Sequence, residues 1–158
     1  MPSTAPAYSR LQIGLHWLTA ALVVVQVVFH ESIVAAWDKL QQGASLVFDP
    51  LVQAHVLGGI ALLGLVAWRL ALRFRRAVPA AEGPAWLRRA AALGHLALYA
   101  TLVGLGLSGL AAWFGGLEAA AELHEALKPV LLLLVAGHVA AALWHHFVRK
   151  DGTLARMR

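Results

Sequence analysis

The chain has 158 residues, of which 60% are hydrophobic and only 13% are charged. Soluble domains carry about a quarter of their residues as charged side chains, so this composition excludes an ordinary soluble globular protein. The absence of cysteine excludes disulfides, iron–sulfur clusters, thiolate zinc sites and covalently attached c-type haem. The length is that of one domain, and we expect residues 1–158 to form it.

Four apolar segments, taken in chain order, are each about long enough to cross a bilayer as a helix. They cover about 11–29, 51–72, 90–114 and 123–148. The sequence therefore predicts an all-α membrane protein with a four-helix transmembrane bundle. The first segment lacks the features of a cleaved signal peptide, so we expect a retained span. A short helix is expected in the first loop, within "SIVAAWDKLQQG", and Pro129 is expected to kink the fourth span.

The connections between these spans differ in charge. The segment 73–89 and the tail after residue 148 are rich in arginine, whereas the opposite side holds two lysines against six acidic residues. Positive loops stay in the cytoplasm, which predicts a multi-pass membrane protein with both termini in the cytoplasm. The net charge of +5 reflects this asymmetry, so we expect lipid and no nucleic acid as a partner.

Histidines lie within or at the edges of the apolar spans, where a polar side chain needs a partner. His124 and His138 are fourteen residues apart, which on a helix is about 21 Å along the axis and nearly the same face. Two haems stacked across a bilayer need imidazoles at two such depths on facing helices. By depth, His16 suits His138 near the cytoplasm, and His55 suits His124 near the outer surface.

This spacing leaves alternatives open. His30 also follows His16 by fourteen residues and could replace His55, and His95 lies about as deep as His16 and could replace it. Arg69 follows His55 by fourteen residues, so it could bind a propionate of the inner haem or extend to the surface as an ordinary interfacial arginine. For any one of the histidines, a simple hydrogen bond to a neighbouring helix is the alternative to a cofactor.

Five stretches, in order along most of the chain, resemble the bacterial cytochrome b561 family, which is related to the cytochrome b subunits of some hydrogenases. They are "YSRLQIGLHWLTA", "AHVLGGIALLGLVAWRLALRF", "LGHLALYATLVGLGLSGL", "LHEALK" and "GHVAAALWHHFVRKDGTLARM". The resemblance implies a single cytochrome b561-like transmembrane domain with two non-covalently bound b-type haems. It places the inner iron ligands at His16 and His138 and the outer ones at His55 and His124. The family pattern has no counterpart of His30.

By resemblance we expect an oxidoreductase that passes electrons between an extracytoplasmic one-electron donor, such as superoxide, and membrane ubiquinone. Lys39 or Lys128 could attract an anionic donor, although the surrounding acids oppose this. The quinone is expected at the cytoplasmic membrane edge, where polar side chains could hydrogen-bond it or supply protons. The candidates are Tyr8, Ser9, Arg10, His145 and His146.

Two other functions remain open from the sequence. One is an electron-transfer and anchor subunit that serves a hydrogenase- or dehydrogenase-like partner protein. The other is a metal-ion transporter that uses membrane histidines. The short spans and the lack of acidic residues at their centres disfavour the transporter.

Overall fold

The computed structural model describes residues 8–45, 47–75 and 83–157, and every regular element in these ranges is helical. The helices are α1 (Arg10–Val28), α2 (Glu31–Gln41), α3 (Pro50–Arg75), α4 (Ala85–Gly115) and α5 (Glu118–Trp144), followed by a π-helical turn (His145–Arg149) and a 3-10 turn (Ala155–Met157). By length and composition, α1, α3, α4 and α5 with its π turn can cross a membrane. The predicted four-helix transmembrane bundle is confirmed, and α2 is the short helix expected in the first loop.

Local sequence explains several helix boundaries. Ser9 caps α1 reciprocally: the Gln12 backbone N–H donates to Ser9 Oγ over 3.3 Å, and the Ser9 N–H donates to Gln12 Oε1 over 2.9 Å. Gly116 ends α4 with a φ of 65°, a left-handed conformation that favours glycine. Only Leu117 then precedes α5. Because this connection is so short, α4 and α5 pack as antiparallel neighbours.

Two spans begin earlier than the sequence predicts. α4 begins at Ala85 instead of near residue 90, directly after Pro84, whose restricted φ suits entry into a helix. α5 begins at Glu118, since the alanine- and glutamate-rich segment before the apolar run consists of good helix formers. The loop predicted at 77–89 is therefore helical from Ala85 onward, and its residues 77–82 lie outside the described residues.

The buried centre of the bundle is small. Val66 of α3, Leu102 and Leu105 of α4 and Leu131 of α5 form its core cluster. Many other large apolar side chains face outward, and Leu133 of α5 is 75% exposed. Lipid tails are as apolar as leucine, so such side chains need no burial within the protein. The outward apolar surface agrees with a helical bundle that has lipid as its solvent.

The four spans do not pack evenly against one another. α5 packs closely along α4, whereas α1 packs on α3 and α3 packs on α4. Among the described residues, the backbone of α5 does not pack closely on those of α1 and α3. The fourth span therefore faces α1 and α3 across gaps that are wider than an ordinary helix–helix interface.

Candidate functional site

Two pairs of histidine rings face each other across these gaps. Where α1 ends and α5 begins, which we call the α2 end, the ring centroids of His55 on α3 and His124 on α5 are 6.4 Å apart. Where α1 begins and α5 ends, which we call the C-terminal end, the centroids of His16 on α1 and His138 on α5 are 6.1 Å apart. α5 thus contributes one imidazole to each pair, at two depths.

The separation within each pair suits a metal ion between two imidazoles. A bond from a metal to an imidazole nitrogen is about 2 Å long and the ring centroid lies about 1 Å behind that nitrogen, so two axial rings are about 6 Å apart. Both observed separations agree with this value. Within the described ranges, no three side chains of His, Asp or Glu are grouped to hold a metal ion. A metal bound at either pair would take its further ligands from a group such as a porphyrin.

His124 is held in the tautomer that a metal ligand requires. Its Nδ1 lies 2.9 Å from the backbone oxygen of Leu105 and 3.3 Å from Oγ of Ser108. A ring nitrogen donates to a carbonyl only when it carries the proton, so the lone pair of the neutral ring is on Nε2 and is free to bind a metal. Gly109 leaves room for the ring, since a Cβ there would lie 3.1 Å from two of the ring atoms.

A cavity of about 640 Å³ opens at the α2 end, and both His55 and His124 line it. Cofactor and ligand pockets generally have volumes of about 300–1,000 Å³. Gly59, Gly106 and Gly109 also line the cavity, and a Cβ on Gly59 would meet no neighbour within 4 Å. The space beside the two rings therefore has the size and the smooth walls that a planar cofactor needs.

At the C-terminal end, Arg69 points at the histidine pair and not at the surface. Its Nη2 lies 3.0 Å from Nδ1 of His16, and its guanidinium carbon lies 5.5 Å from the ring centroid of Tyr99. A guanidinium only donates hydrogen bonds, so Nδ1 of His16 accepts here and the ring proton is on Nε2. Iron ligation through Nε2 of a neutral ring needs that proton on Nδ1. The observed contact and ligation by His16 therefore exclude each other.

His95, the alternative to His16, lies in the same region. Its ring centroid is 5.3 Å from that of His138, and its Nδ1–H donates to the backbone oxygen of Ala91 over 2.7 Å. This tautomer leaves Nε2 free, as iron ligation requires, whereas the tautomer of His16 seen here does not, so the tautomers favour His95. The ring separations favour His16, because its 6.1 Å from His138 agrees with the value of about 6 Å for a shared metal, whereas the 5.3 Å of His95 is shorter.

His30, the alternative to His55, is engaged at the surface. Its Nε2 lies 3.3 Å from a carboxylate oxygen of Glu31, and its side chain is 26% exposed. It also lines the large cavity. The His55 ring, by contrast, directly faces His124. The geometry therefore favours His55 as the partner of His124.

Three of the five residues predicted to contact a quinone lie around the start of α1. The Ser9 hydroxyl is occupied by the helix cap, and Arg10 is the exposed first residue of α1. Tyr8 is partly buried, and this burial raises the pKa of its phenol against the opposing positive charges of Arg73 and Arg156. Tyr8 and Arg10 are thus the members of this group with side chains that the helix cap does not use.

The other two predicted residues, His145 and His146, lie in the π-helical turn. Nδ1 of His145 is 2.5 Å from Oδ2 of Asp151, and Arg149 Nε is 3.2 Å from the same oxygen. Burial raises the pKa of Asp151, but hydrogen bonds from Thr153 and His145 outweigh it and hold that pKa well below its usual range. His145 is therefore engaged in a tail contact, whereas the adjacent His146 is exposed.

Sequence reasoning missed three polar side chains that touch the predicted histidines. Gln26 Nε2 donates to the backbone oxygen of His55 over 3.1 Å. Ser108 lies beside His124, and Asp151 pairs with His145. A polar residue inside or directly after an apolar run is the signal that could have found each of them.

The mouth of the large cavity is acidic. Its lining includes the four acidic residues Asp38, Glu118, Glu122 and Glu125. Lys128 also lines the cavity, but its Nζ lies 2.6 Å from Oε2 of Glu125, so this lysine is paired. The negative electrostatic potential of these carboxylates attracts cations and repels anions. The charge of the mouth opposes the expectation that lysines steer an anionic donor towards this end.

Comparison with known proteins gives consistent matches over nearly the whole chain. The family described as prokaryotic cytochrome b561 matches residues 7–158. Cytochrome b562 of Cereibacter sphaeroides is 36% identical over 155 residues, covering 96% of this chain and 95% of that protein. Cytochrome b561 homolog 1 of Escherichia coli is 31% identical over 95% of this chain and 96% of its own length. Probable superoxide oxidase CybB of Yersinia pestis is 32% identical, with coverages of 95% and 94%.

Proposed function

Since the chain belongs to the prokaryotic cytochrome b561 family, we propose that residues 1–158 form one membrane domain that holds two haem b groups. Members of this family bind haem b and transfer electrons in the membrane, so the chain is a multi-pass bacterial membrane cytochrome. The observation that carries the proposal of two haems is the pair of ring separations, 6.1 Å and 6.4 Å, at two depths of the bundle.

In this proposal, His16 and His138 hold the inner iron, and His55 and His124 hold the outer iron. The arginine-rich connection and tail support a cytoplasmic position for the C-terminal end and for both termini. The membrane is then the bacterial inner membrane. A fusion of a cytoplasm-active and a periplasm-active reporter to the C-terminus tests the orientation, and activity of the periplasmic reporter alone would contradict it.

Arg69 is proposed to bind a propionate of the inner haem. It contacts His16 in a way that ligation by His16 would break, so a haem held by this pair would leave the Arg69 guanidinium without that partner inside the bundle. A released, partly buried cation needs an anionic partner, and a carboxylate gives a charge-assisted hydrogen bond of the strong kind. The Arg69 side chain would thus exchange a histidine nitrogen for a haem carboxylate.

Electrons are proposed to pass between a one-electron donor at the outer side and ubiquinone at the inner side. Haem iron supplies a one-electron carrier where it is bound. An iron held by both histidines of a pair would have no open position, which would suit electron transfer. Similarity to the probable superoxide oxidase of Yersinia pestis supports superoxide as the donor. Of the five membrane-edge candidates, Tyr8, Arg10 and His146 are the proposed quinone contacts, because the helix cap uses Ser9 and Asp151 pairs with His145.

Among these contacts, the exposed His146 is the proposed proton donor to quinone, because His145 is already paired with Asp151. His146→Gln should slow quinone reduction while both haems stay bound. His145→Gln is the matched control at the adjacent residue, and it should mainly weaken the contact of His145 with Asp151 in the tail. Equal quinone kinetics in the parent protein and His146→Gln would contradict this assignment.

Haem content tests the core of the proposal. The purified protein should contain two haem b per chain by pyridine haemochromogen analysis, and each of His16→Ala, His138→Ala, His55→Ala and His124→Ala should lose one. His30→Ala and His95→Ala are the matched controls and should retain two. A parent protein with a single haem would overturn the assignment. So would loss of haem in His30→Ala with retention in His55→Ala, or loss in His95→Ala with retention in His16→Ala.

A second candidate function is an electron-transfer and anchor subunit for a partner protein at the outer side. The acidic mouth of the cavity favours it, because carboxylates at the entrance suit a cationic protein surface better than superoxide. The purified chain supplied with superoxide and quinone distinguishes the two functions. Quinone reduction by the chain alone supports the oxidase, and its absence in a fully haem-loaded protein supports the subunit.

A further inference from the structure

Two buried polar atoms at the α2 end have no hydrogen-bond partner. Within the part of the chain that the structure describes, the buried unpaired side-chain atoms are Oε1 of Gln26 and Nδ1 of His55. Buried polar groups are nearly always paired, so each unpaired one requires an explanation. Here both atoms belong to neighbouring side chains that line the same cavity.

Gln26 is fixed against the helical turn that carries His55. Its Nε2 donates to the backbone oxygen of His55 over 3.1 Å. A Cβ on Gly58 would lie only 2.1 Å from the same Nε2, so the amide packs on the bare backbone of α3 and needs glycine there. A reversed amide would place an acceptor against the carbonyl of His55. The donor is therefore on the carbonyl side, and Oε1 is the free acceptor.

The unpaired Nδ1 has the opposite need. When an imidazole binds a metal through Nε2, its Nδ1 carries the proton, and metal-ligating histidines almost always donate that proton to an acceptor. His124 already has such an acceptor in the backbone oxygen of Leu105. His55 has none in this structure. Gln26 offers the missing acceptor from the facing helix.

From these observations we propose that Gln26 is a positioning residue for the outer haem, with its Oε1 accepting the Nδ1–H of iron-bound His55 while its Nε2 keeps the backbone oxygen of the same residue. The inference rests on the proposed function, because it requires His55 to be an iron ligand. One amide then matches both polar groups of His55, a donor to a carbonyl and an acceptor to a ring N–H.

The hydrogen bond has an electronic consequence. An acceptor at Nδ1 raises the basicity of the ligand and stabilises ferric over ferrous iron, so it lowers the reduction potential of that haem. Gln26→Leu removes the acceptor and should favour the ferrous form at the outer haem by about tenfold, which is about 59 mV for one electron. Gln26→Glu loses the donor to the backbone oxygen of His55 but supplies a charged, stronger acceptor to the ring N–H, so it should shift the outer potential in the opposite direction.

Redox titration of the full-length, haem-loaded protein tests this, with electron paramagnetic resonance of the oxidised outer haem as a second readout. Gln53→Leu is the matched control, because Gln53 is exposed on α3, two residues before His55. The expected result is opposite shifts in Gln26→Leu and Gln26→Glu, no shift in Gln53→Leu and an unchanged inner haem. Packing alone would not move the two Gln26 variants in opposite directions.

His55→Ala separates failure of this inference from failure of the proposed function. If His55→Ala retains both haems, His55 is not a ligand, and the role of Gln26 falls with it. If His55→Ala loses one haem but both Gln26 variants keep the outer potential and the resonance signature of the parent, only the inference is overturned. If Gln26→Leu does not accumulate, the shift in Gln26→Glu decides the question.

Discussion

Replacing Gly109 with alanine should damage the outer haem site selectively. A Cβ at this position would lie 3.1 Å from both Nδ1 and Cε1 of His124, so the ring must move by a few tenths of an ångström. The ring is not free to move, because its Nδ1–H is bound to the Leu105 backbone oxygen at 2.9 Å. The added methyl group therefore acts directly on the orientation of a proposed iron ligand.

The magnitude follows from two opposing effects. Alanine stabilises a helix relative to glycine by about 0.5–1 kcal/mol. Weakening the hydrogen bond of His124 removes about 0.5–1.5 kcal/mol, so the net stability of the Gly109→Ala bundle should change little. Disturbing the partners of a metal ligand typically reduces metal affinity by about 10- to 100-fold. We therefore expect a folded protein that loses its outer haem more readily and keeps its inner haem.

Haem retention during dilution into haem-binding apomyoglobin, followed by absorbance, measures this effect. Gly94→Ala is the matched control on the same helix, because a Cβ there would meet nothing within 4 Å. The control should retain both haems and gain the helix stability alone. Identical haem loss from the Gly109→Ala protein and the Gly94→Ala protein would refute the reasoning that His124 is held against Gly109.

Three further outcomes are expected. Asp151→Asn removes the charged acceptor of His145, so the tail after α5 should be cleaved faster in limited proteolysis. The pKa of Asp151 is lower in the folded protein than its usual value of about 4. The stability that its carboxylate gives the tail is therefore complete above that usual value and is lost as the pH falls through the folded pKa. The parent tail should resist protease at pH 7 and lose this protection only in acid well below the usual pKa. Trp17→Phe removes the indole N–H that donates to the Met157 backbone oxygen over 2.9 Å. It should weaken the docking of the tail by about 0.5–1.5 kcal/mol, and so speed its cleavage, without loss of haem. Unchanged cleavage would contradict that contact. Haem depletion should lower the Tm, because a ligand that binds only the folded state stabilises it by mass action and α5 does not otherwise pack closely on α1 or α3. Equal Tm values with and without haem would contradict this role.

The four spans, their approximate limits and the short helix in the first loop followed from hydropathy and composition. The sequence predicts membrane spans well because a segment in hydrocarbon must be apolar and must satisfy its own backbone hydrogen bonds as a helix. The prediction was less accurate at α4 and α5, which begin earlier than their apolar runs. Polar helix formers such as those near Glu118 carry the helix beyond the part that hydropathy detects. Family membership, which the sequence motifs predicted, was confirmed by the match over residues 7–158.

By itself, the sequence determined which residue types stand at which depth: His124 and His138 on one helix, with His16 and His55 at matching depths on others. Only the tertiary structure decided which rings face each other, because helical period gives a direction within one helix but no distance between two. At His138, the ring separation favours His16 over His95, whereas the tautomers seen here favour His95. The roles proposed for Arg69 and Gln26 likewise depend on contacts between residues 53 and 29 positions apart in the chain. No local pattern encodes such contacts, since the packing of whole helices brings the atoms together.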